Sequence, residues 1–581
     1  MGNEPDAGMY PPFNRKLFDS DEAFTVIGAG QIGGKALGLA SAKGIIAEAC
    51  PPGSFPDVTV SIPRLTVLGT EVFEHFLSRN DLREVARADL SDDRIAHAFL
   101  QAELPPLIVG DLRELVAKTN TPLAVRSSSL LEDALRHPFA GVYATKMIPN
   151  NLGPIAARFK KLTEAIKLVW ASTFFRDAKR YLRSIERSVE DERMAVIVQE
   201  VVGDRFDGRF YPIVSGVVRT HNFYATGPAA PADGVVHLAL GLGKTIVDGG
   251  VTWTYCPRYP RRPAPYGSAQ ELLRNTQTGF WAVHMGPVPY DPVNEAEYLV
   301  RCGLNLAEWD DVLRFVASTY DRASDRLSLG LGAPGPRAVT FGPILELDEI
   351  PLNAIVLRLS QACRAALESE VEIEFAMTLD RQRGLPARFG FLQVRPMMVA
   401  GEQVEVEQAD LVHARALVAS ESVLGNGESS TITDVVYVKP GSFEARHTRS
   451  VVAELDPLNA GLQSEKRPYV LIGFGRWGSS DPWLGIPATW PQLCGARVIV
   501  EATLPDMDVE ATQGSHFFHN MISFNVQYFT VRHDGPYRIA WEWLDGQSAV
   551  SETRFLRHVR LAAPLEIRVD GRRRRGLILH S

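Results

Sequence analysis

The sequence predicts a mixed α/β (α+β) protein built from several lobes. Three observations carry this. Residues 24–47 read as a strand, a glycine-rich turn and a helix. The segment 161–189 is amphipathic, with Leu162, Ile166, Val169, Trp170, Phe174, Ala178, Tyr181, Leu182 and Ile185 on one face at helical spacing. Two strands, 370–377 and 389–395, alternate strictly and flank a polar turn with Gly384 and Pro386. Strands and helices are interleaved rather than segregated, which sets the class.

The elements follow in order. A strand at 58–69 leads into a helix from Glu71, and the long amphipathic helix leads into a strand at Met194–Gln199. Further strands are expected near 210–218 and 234–240, then a Pro- and Arg-rich loop at 257–268. Helices are expected at 292–303, 306–322 and 352–368. Residues 400–432 read as a helix followed by the connection GNGESSTIT, where a boundary is placed. The resulting division is 1–400 (lobes of about 1–205 and 206–400), a linker at 401–435, and an α/β unit at 436–581.

Composition narrows the functional classes. With 581 residues, 45% hydrophobic and 22% charged, the chain can bury several cores, and disorder over most of its length is excluded. A net charge of -8 gives no general attraction for nucleic acid. The basic run Arg572–Arg575 follows Asp570-Gly571 between alternating stretches and reads as a solvated terminal hairpin. The five cysteines show no CxxC spacing, so neither a zinc site nor a disulfide framework is expected. No apolar leader and no membrane-spanning stretch are present, and a cytoplasmic protein is expected.

Chemistry is suggested at four places. Gly28, Gly30 and Gly33 in VIGAGQIGGKALG satisfy G-x-G-x-x-G, but no acidic residue closes a strand about 20 positions on. The turn therefore reads as a tight structural turn, as a phosphate site with Lys35 in the first helical turn, or as a dinucleotide site. GLGKT at 241–245 is not a P-loop, because position 238 is Leu. In LAVRSSSLLED (123–133), Arg126 leaves a strand into a serine-rich turn, a phosphate clamp or a commonplace charged strand end. Period-2 alternation puts Glu372 and Glu374 on one strand face and Gln393 and Arg395 on one face of the other. That set suits Mg²⁺ and a phosphate oxygen, or else a solvated face with cross-strand salt bridges.

Taken in order, these motifs resemble the ATP-binding domain of the phosphoenolpyruvate synthase and pyruvate phosphate dikinase family. The resemblance runs through IGGKALGLA (32–40), IPRLTVLGTEVFEHFL (62–77), AVRSSSLLEDALRHPFAGVYAT (124–145) and VWASTFFRDAKRYL (169–182). It continues through VIVQEVV (196–202), SGVV (215–218), LGLGKTIVDGG (240–250) and VEIEFAM…FGFLQVRP (371–396), over about 400 residues. It implies an ATP-grasp-like fold holding Mg-ATP between lobes. Lys35 and Arg126 would contact phosphates, and Gln199 would line the adenine pocket. Glu374 and Gln393 would hold Mg²⁺, and Arg395 would support the transferred phosphoryl group. The family usually has an acidic residue after GLG; here it is Lys244. Its full-length members also carry a phosphohistidine domain and a TIM barrel, and the residues after 400 are too few for a barrel of at least about 200 residues.

In the last 150 residues, two segments stand out. VLIGFGRWGSSDPWLGIP (470–487) places Arg476 in a glycine-rich turn, an anion site or a loop packed by Trp477 and Trp483. TQGSHFFHNM (512–521) places His516 after small residues, as a phosphoryl acceptor or a structural or substrate-contacting histidine; His519 follows with no third metal ligand in view. The first expectation is an ATP-dependent phosphotransferase acting on a histidine or a small molecule. A nucleotide-binding regulatory or scaffold protein without turnover and an NAD-dependent oxidoreductase are the rivals. A homo-oligomer or a partner chain is left open.

Overall fold

The strand–turn–helix at the start of the chain forms as the glycine pattern suggests. Strand Phe24–Ile27 pairs in parallel with Leu65–Leu68, and helix Gly34–Ala49 follows the turn. The computed structural model describes residues 8, 10–15, 22–130, 132, 141–151, 153–185, 187–223, 225, 228–262, 269–274, 276–322, 324–348, 350–379, 387–397, 399, 404–479, 481–505, 507, 517, 521, 524 and 526–580.

The first sheet has the order Phe24–Ile27, Leu65–Leu68, Met194–Glu200, Leu123–Ser129, Thr145–Ile148. Its central strand is buried on both faces. Ala195 and Ile197 pack with Val26, Ile32, Ala36 and Leu39, whereas Met194, Val196 and Val198 join Phe73, Leu162 and Trp170. The second sheet has the order Trp253–Tyr255, Val235–Ala239, Val214–Arg219, Glu370–Thr378, Ala387–Met397, Val58–Ser61. Helices Gly34–Ala49 and Leu352–Leu367 cover it with apolar residues such as Leu39, Ile46, Ile355 and Leu359.

Residues 414–580 build a seven-stranded sheet whose centre is parallel. Asp434–Val438, Tyr469–Phe474, Ala496–Ala502 and Gln527–Val531 pair side by side, with helix Thr448–Ser464 crossing between the first two. The hairpin of Glu566–Asp570 and Arg575–Leu579, read from Asp570-Gly571, is the central pair of a smaller four-stranded sheet, flanked by Ala416–Ser420 and Gly427–Ser429, so its strands are largely buried rather than solvated. The apolar core continues from the first lobe into this part of the chain: Phe524 packs edge-on against Tyr181 and stacks on Trp490.

Several expectations are corrected. The amphipathic stretch at 161–189 is two helices, Ile155–Ser172 and Arg176–Ser184; its apolar stripe runs across the break, so periodicity alone reads through it. The helix expected at 292–303 gives way to strand Leu299–Gly303, laddered on Gly279–His284. That expected at 306–322 stops at Trp309, before Asp310 and Asp311, the latter at φ 58. The β-branched and aromatic run that follows becomes the central strand Ala317–Asp321. Residues 400–432 hold strands Ala416–Ser420, Val423–Leu424 and Gly427–Ser429, which pair with the C-terminal strands. Gly425 and Gly427 take positive φ at the turns between them, which is why the glycines looked like a linker.

Candidate functional site

The two alternating strands form an antiparallel pair, so their polar faces coincide. Glu372 lies opposite Arg395 and Glu374 opposite Gln393. Phe375 then faces Phe391, so Leu392 is the extra residue of a bulge. The third strand of the sheet brings Arg219 opposite Glu372. The face is not the solvated one that composition also allowed. Glu372, Arg395, Gln393 and Arg219 are all within 3% of fully buried.

Burial forces these charges into pairs. Arg395 Nε donates to Glu372 Oε1 at 2.8 Å, and Arg219 Nε donates to Glu372 Oε2 at 2.7 Å. One carboxylate is thus shared by two guanidiniums. Next to them, His237 contacts Arg219 and takes a bond with Thr254 Oγ1 at 3.0 Å. Burial, reinforced by Arg219, pushes its imidazole down to about 3, so it stays neutral.

The first sheet reaches this face through Arg126. Arg126 lies opposite Ile197 and shares a sheet face with Ser128 and Gln199. Its Nη2 donates to Gln393 Oε1 at 2.6 Å and stands 3.8 Å from Glu374 Oε2. Its Nη1 donates to the carbonyl of Leu392, the bulge residue, at 3.1 Å. Residues 267 positions apart in sequence therefore meet in one cluster.

Lys35 approaches from the helix start. Its Nζ donates to Glu132 Oε1 at 2.5 Å and to Ser127 Oγ, next to Arg126 in the chain, at 3.2 Å. The glycines explain how the helix comes so close. A Cβ on Gly33 would fall 1.8 Å from the carbonyl oxygen of Ser128, and one on Gly34 would fall 1.9 Å from that of Glu132. Gly28 and Gly30 are pressed against Val72 and Thr70 in the same way. The G-x-G-x-x-G glycines are thus used to pack the chain against itself, and the mixed first sheet is not the parallel sheet of a dinucleotide fold. The NAD reading loses its ground.

The donor set fits a magnesium-bound nucleotide. Glu374 Oε1 and Gln199 Nε2 are buried atoms without hydrogen-bond partners. The first is a hard anionic oxygen suited to Mg²⁺ shared with phosphates, the second a donor suited to a ring nitrogen. Among the described residues no group of three His, Cys, Asp or Glu could hold a metal by itself.

The remaining readings resolve unevenly. Lys244 is tied to Asp248 at 2.7 Å in a one-turn helix, Lys244–Val247. Arg476 is 4% exposed and donates to the carbonyl of Gly249 at 3.2 Å, so it crosses from the C-terminal part of the chain to the turn after GLGKT. Trp477 is buried as the loop reading required, and Trp483 is exposed. His516 and His519 lie outside the described residues. Sequence reasoning missed Glu132 as the partner of Lys35 and Arg219 as the second guanidinium on Glu372. The terminal Arg of the alternating strand VSGVVR was the available signal for Arg219.

Comparison with known proteins finds a domain family and related chains. Residues 29–275 match the family described as pyruvate phosphate dikinase, AMP/ATP-binding domain. A rifampicin phosphotransferase of Streptomyces sviceus is 29% identical over 212 residues, covering 33% of this chain and 22% of that protein. An uncharacterized phosphotransferase, YvkC, of Bacillus subtilis is 24% identical over 193 residues, covering 33% of this chain and 20% of its own length. The chain thus spans about a fifth of the length of the curated relatives it matches. The matched stretch contains Lys35, Arg126 and Gln199; Glu374, Gln393 and Arg395 lie beyond it and join it through Arg126. The likeness to the pyruvate phosphate dikinase AMP/ATP-binding domain thus rests on residues 29–275 of this chain.

Proposed function

We propose that this chain is an ATP-dependent phosphotransferase that holds Mg-ATP between its first two sheets in an ATP-grasp-like manner, within residues 1–400. The observation that carries the reading is the bridge from Arg126 to Gln393 and Glu374. Lys35 and Arg126 bind the phosphate tail, exchanging Glu132 and Gln393 for phosphate oxygens. Gln199 orients the adenine with its buried amide. Glu374 and Gln393 hold Mg²⁺, which neutralises charge developing on the transferred phosphoryl group. Arg395, steadied by Glu372, keeps a positive field on that group without competing for the proton of the acceptor.

The acceptor is a histidine, with His516 the candidate, or a small molecule held near Arg476. Its nucleophilic atom forms the new bond to phosphorus as the phosphoanhydride bond of ATP breaks, and the nucleotide leaves with the bonding electrons. The reading places the protein in the cytoplasm, in keeping with its five free cysteines; no helix among the described residues is long and apolar enough to cross a membrane.

Calorimetric titration with ATP and Mg²⁺ tests the site. Lys35→Ala and Arg126→Ala should each weaken binding strongly, and unchanged affinity in both rejects it. Incubation with γ-labelled ATP tests turnover. Label on the protein that disappears in His516→Ala identifies the acceptor, and label on a product identifies a small-molecule substrate. A second reading, nucleotide binding without turnover, is favoured by Lys244, whose ammonium is engaged with Asp248 where the resembled family places an acid. Saturable binding with no label transferred selects it.

A further inference from the structure

We propose that the phosphoryl acceptor is the hydroxyl of a small molecule, held at the carboxyl end of the C-terminal parallel strands by Glu501, Thr530 and Trp477, with Glu501 as its base. The inference rests on the phosphotransferase reading and chooses, of its two acceptors, the small molecule near Arg476.

Three strands place these residues in one row. Gly473 lies opposite Glu501, and Glu501 opposite Thr530. Each is the last residue but one of its strand, in Tyr469–Phe474, Ala496–Ala502 and Gln527–Val531. Neighbouring strands lie about 4.8 Å apart, and paired residues send their side chains to the same face. Gly473 has no side chain, and the indole of Trp477 takes the space. A Cβ there would fall 2.3 Å from Trp477 Cζ2 and 2.9 Å from Cε2, the carbon bonded to Nε1. Open α/β sheets bind their ligands outside this end of the strands.

All three side chains present a buried polar atom without a hydrogen-bond partner: Glu501 Oε1, Thr530 Oγ1 and Trp477 Nε1. Glu501 is fully buried, and its other oxygen accepts from the Tyr528 hydroxyl. Each such atom is costly, and three in one row point to a group that completes them. An alcohol has the matching inventory. Its single O–H donates to Glu501 Oε1, and its two lone pairs accept from Trp477 Nε1 and Thr530 Oγ1. A phosphate or carboxylate oxygen brings no proton for the Glu501 carboxylate and does not fit.

The row is also placed for transfer. Arg476, which precedes Trp477, donates to the carbonyl of Gly249 in the nucleotide-binding part at 3.2 Å. The same guanidinium acts electrostatically on Glu501 and on His237 beside the Arg219–Glu372 pair. The row therefore borders the nucleotide-binding part. Outward it continues to Thr503, whose hydroxyl meets Nδ1 of the half-buried His533 at 2.9 Å. Among the described residues, Tyr528 from the next strand and Arg476 are the titratable and charged groups that act on Glu501. Burial outweighs both and pushes its carboxyl up to about 7, where a base works at neutral pH. The hydroxyl oxygen forms the bond to phosphorus as the phosphoanhydride bond breaks. The nucleotide leaves with the bonding electrons, and the hydroxyl proton passes to Glu501 Oε1.

The test uses the full chain with Mg-ATP and excess glycerol as the acceptor probe. Wild type should form glycerol phosphate at a rate that rises with pH up to about 7 and then levels, because the carboxylate and not the acid takes the proton. Glu501→Gln should bind Mg-ATP with unchanged affinity, lose transfer by roughly a hundredfold or more, and show a flat pH profile. Thr530→Val should raise the glycerol concentration for half-maximal rate severalfold, while the melting temperature holds or rises because an unpartnered hydroxyl is gone. A wild type that binds Mg-ATP but forms no glycerol phosphate overturns the inference, as does full transfer in Glu501→Gln. Thr530→Val that melts lower and transfers unchanged assigns the three atoms to a buried water and overturns the site. A wild type that binds no ATP overturns the phosphotransferase reading itself, and this inference falls with it.

Discussion

Replacing Glu372 by Gln tests whether the polar face is a built charge cluster. Glu372 is 1% exposed, Arg395 1% and Arg219 3%, and its two carboxylate oxygens take one guanidinium each. His237 nearby is neutral and cannot compensate. The amide keeps the shape but removes the negative charge that Arg395 and Arg219 share, leaving two buried guanidiniums facing each other. Removing one partner of a buried pair costs about 3–5 kcal/mol. For folding units of about 150–250 residues each kcal/mol moves the melting temperature by about 2–4 °C, so a drop of about 6–20 °C is expected by scanning calorimetry. Glu103→Gln is the control: its partner Arg79 is 47% exposed and Glu103 76% exposed, and such pairs contribute about 0–1 kcal/mol. A Glu372→Gln protein melting within 2 °C of wild type (about 1 kcal/mol) would refute the reasoning.

Other outcomes follow from the same geometry. His237 is held near pKa 3 against an ordinary 6.5, so its unfolded form alone binds a proton in between; stability is full above 6.5 and lost as pH falls, by about 1.4 kcal/mol per unit, and His237→Gln should flatten that slope in melting curves from pH 7.5 to 5. Glu501 behaves oppositely: burial pushes it up to about 7 from 4.5, its stabilising protonated form is complete below 4.5 and lost as pH rises through 7, and Glu501→Gln should remove the decline between pH 5 and 8. Gly33→Ala, which sets a methyl 1.8 Å from the Ser128 carbonyl, should cost about 2 kcal/mol or more and weaken ATP binding, whereas Gly44→Ala in the same helix meets nothing within 4 Å and should stabilise by about 0.5–1 kcal/mol in denaturant titrations.

The candidate site was legible in the sequence to the extent that its geometry is periodic. Alternation of two follows from the pleat, so the sequence puts Glu372 and Glu374 on one face and Gln393 and Arg395 on one face of the other strand, and these faces meet because the two strands pair. What pairs across distance was not legible. Nothing in the order of residues says that Glu132 receives Lys35, or that Arg219 divides Glu372 with Arg395. The extra residue at Leu392 was hidden too, because a bulge changes the pairing of a strand and leaves its composition alone. Helices were misjudged where apolar periodicity is ambiguous. The stretch 313–321 carries enough apolar residues for either period, and only the sheet it completes decides for a strand. Glycine misled in both directions: in GAGQIGG it serves contact within the chain, and in GNGESSTIT it turns between strands.

The two arginines of the cluster differ in what they are free to do. Arg395 is fixed by a carboxylate at full burial, in a cage that also holds Arg219, so moving it to a new partner would strand a charge in the interior. Arg126 is held by an amide oxygen and a carbonyl, with its nearest carboxylate at 3.8 Å and 14% of its side chain exposed. Both of its bonds are to neutral acceptors, so on the proposed reading phosphate oxygens, which carry charge themselves, would replace them at little cost. Lys35 sits between these cases: its carboxylate partner Glu132 is buried, so giving it up requires the phosphate tail to supply the negative charge the lysine loses. Counted together, Arg126, Arg219 and Arg395 face Glu372 and Glu374, one positive charge in excess, with His237 adding none. On the proposed reading, a face of that sign, approached from the first sheet by Arg126, would select an anion that brings its own cation to Glu374, the composition of a magnesium-bound triphosphate.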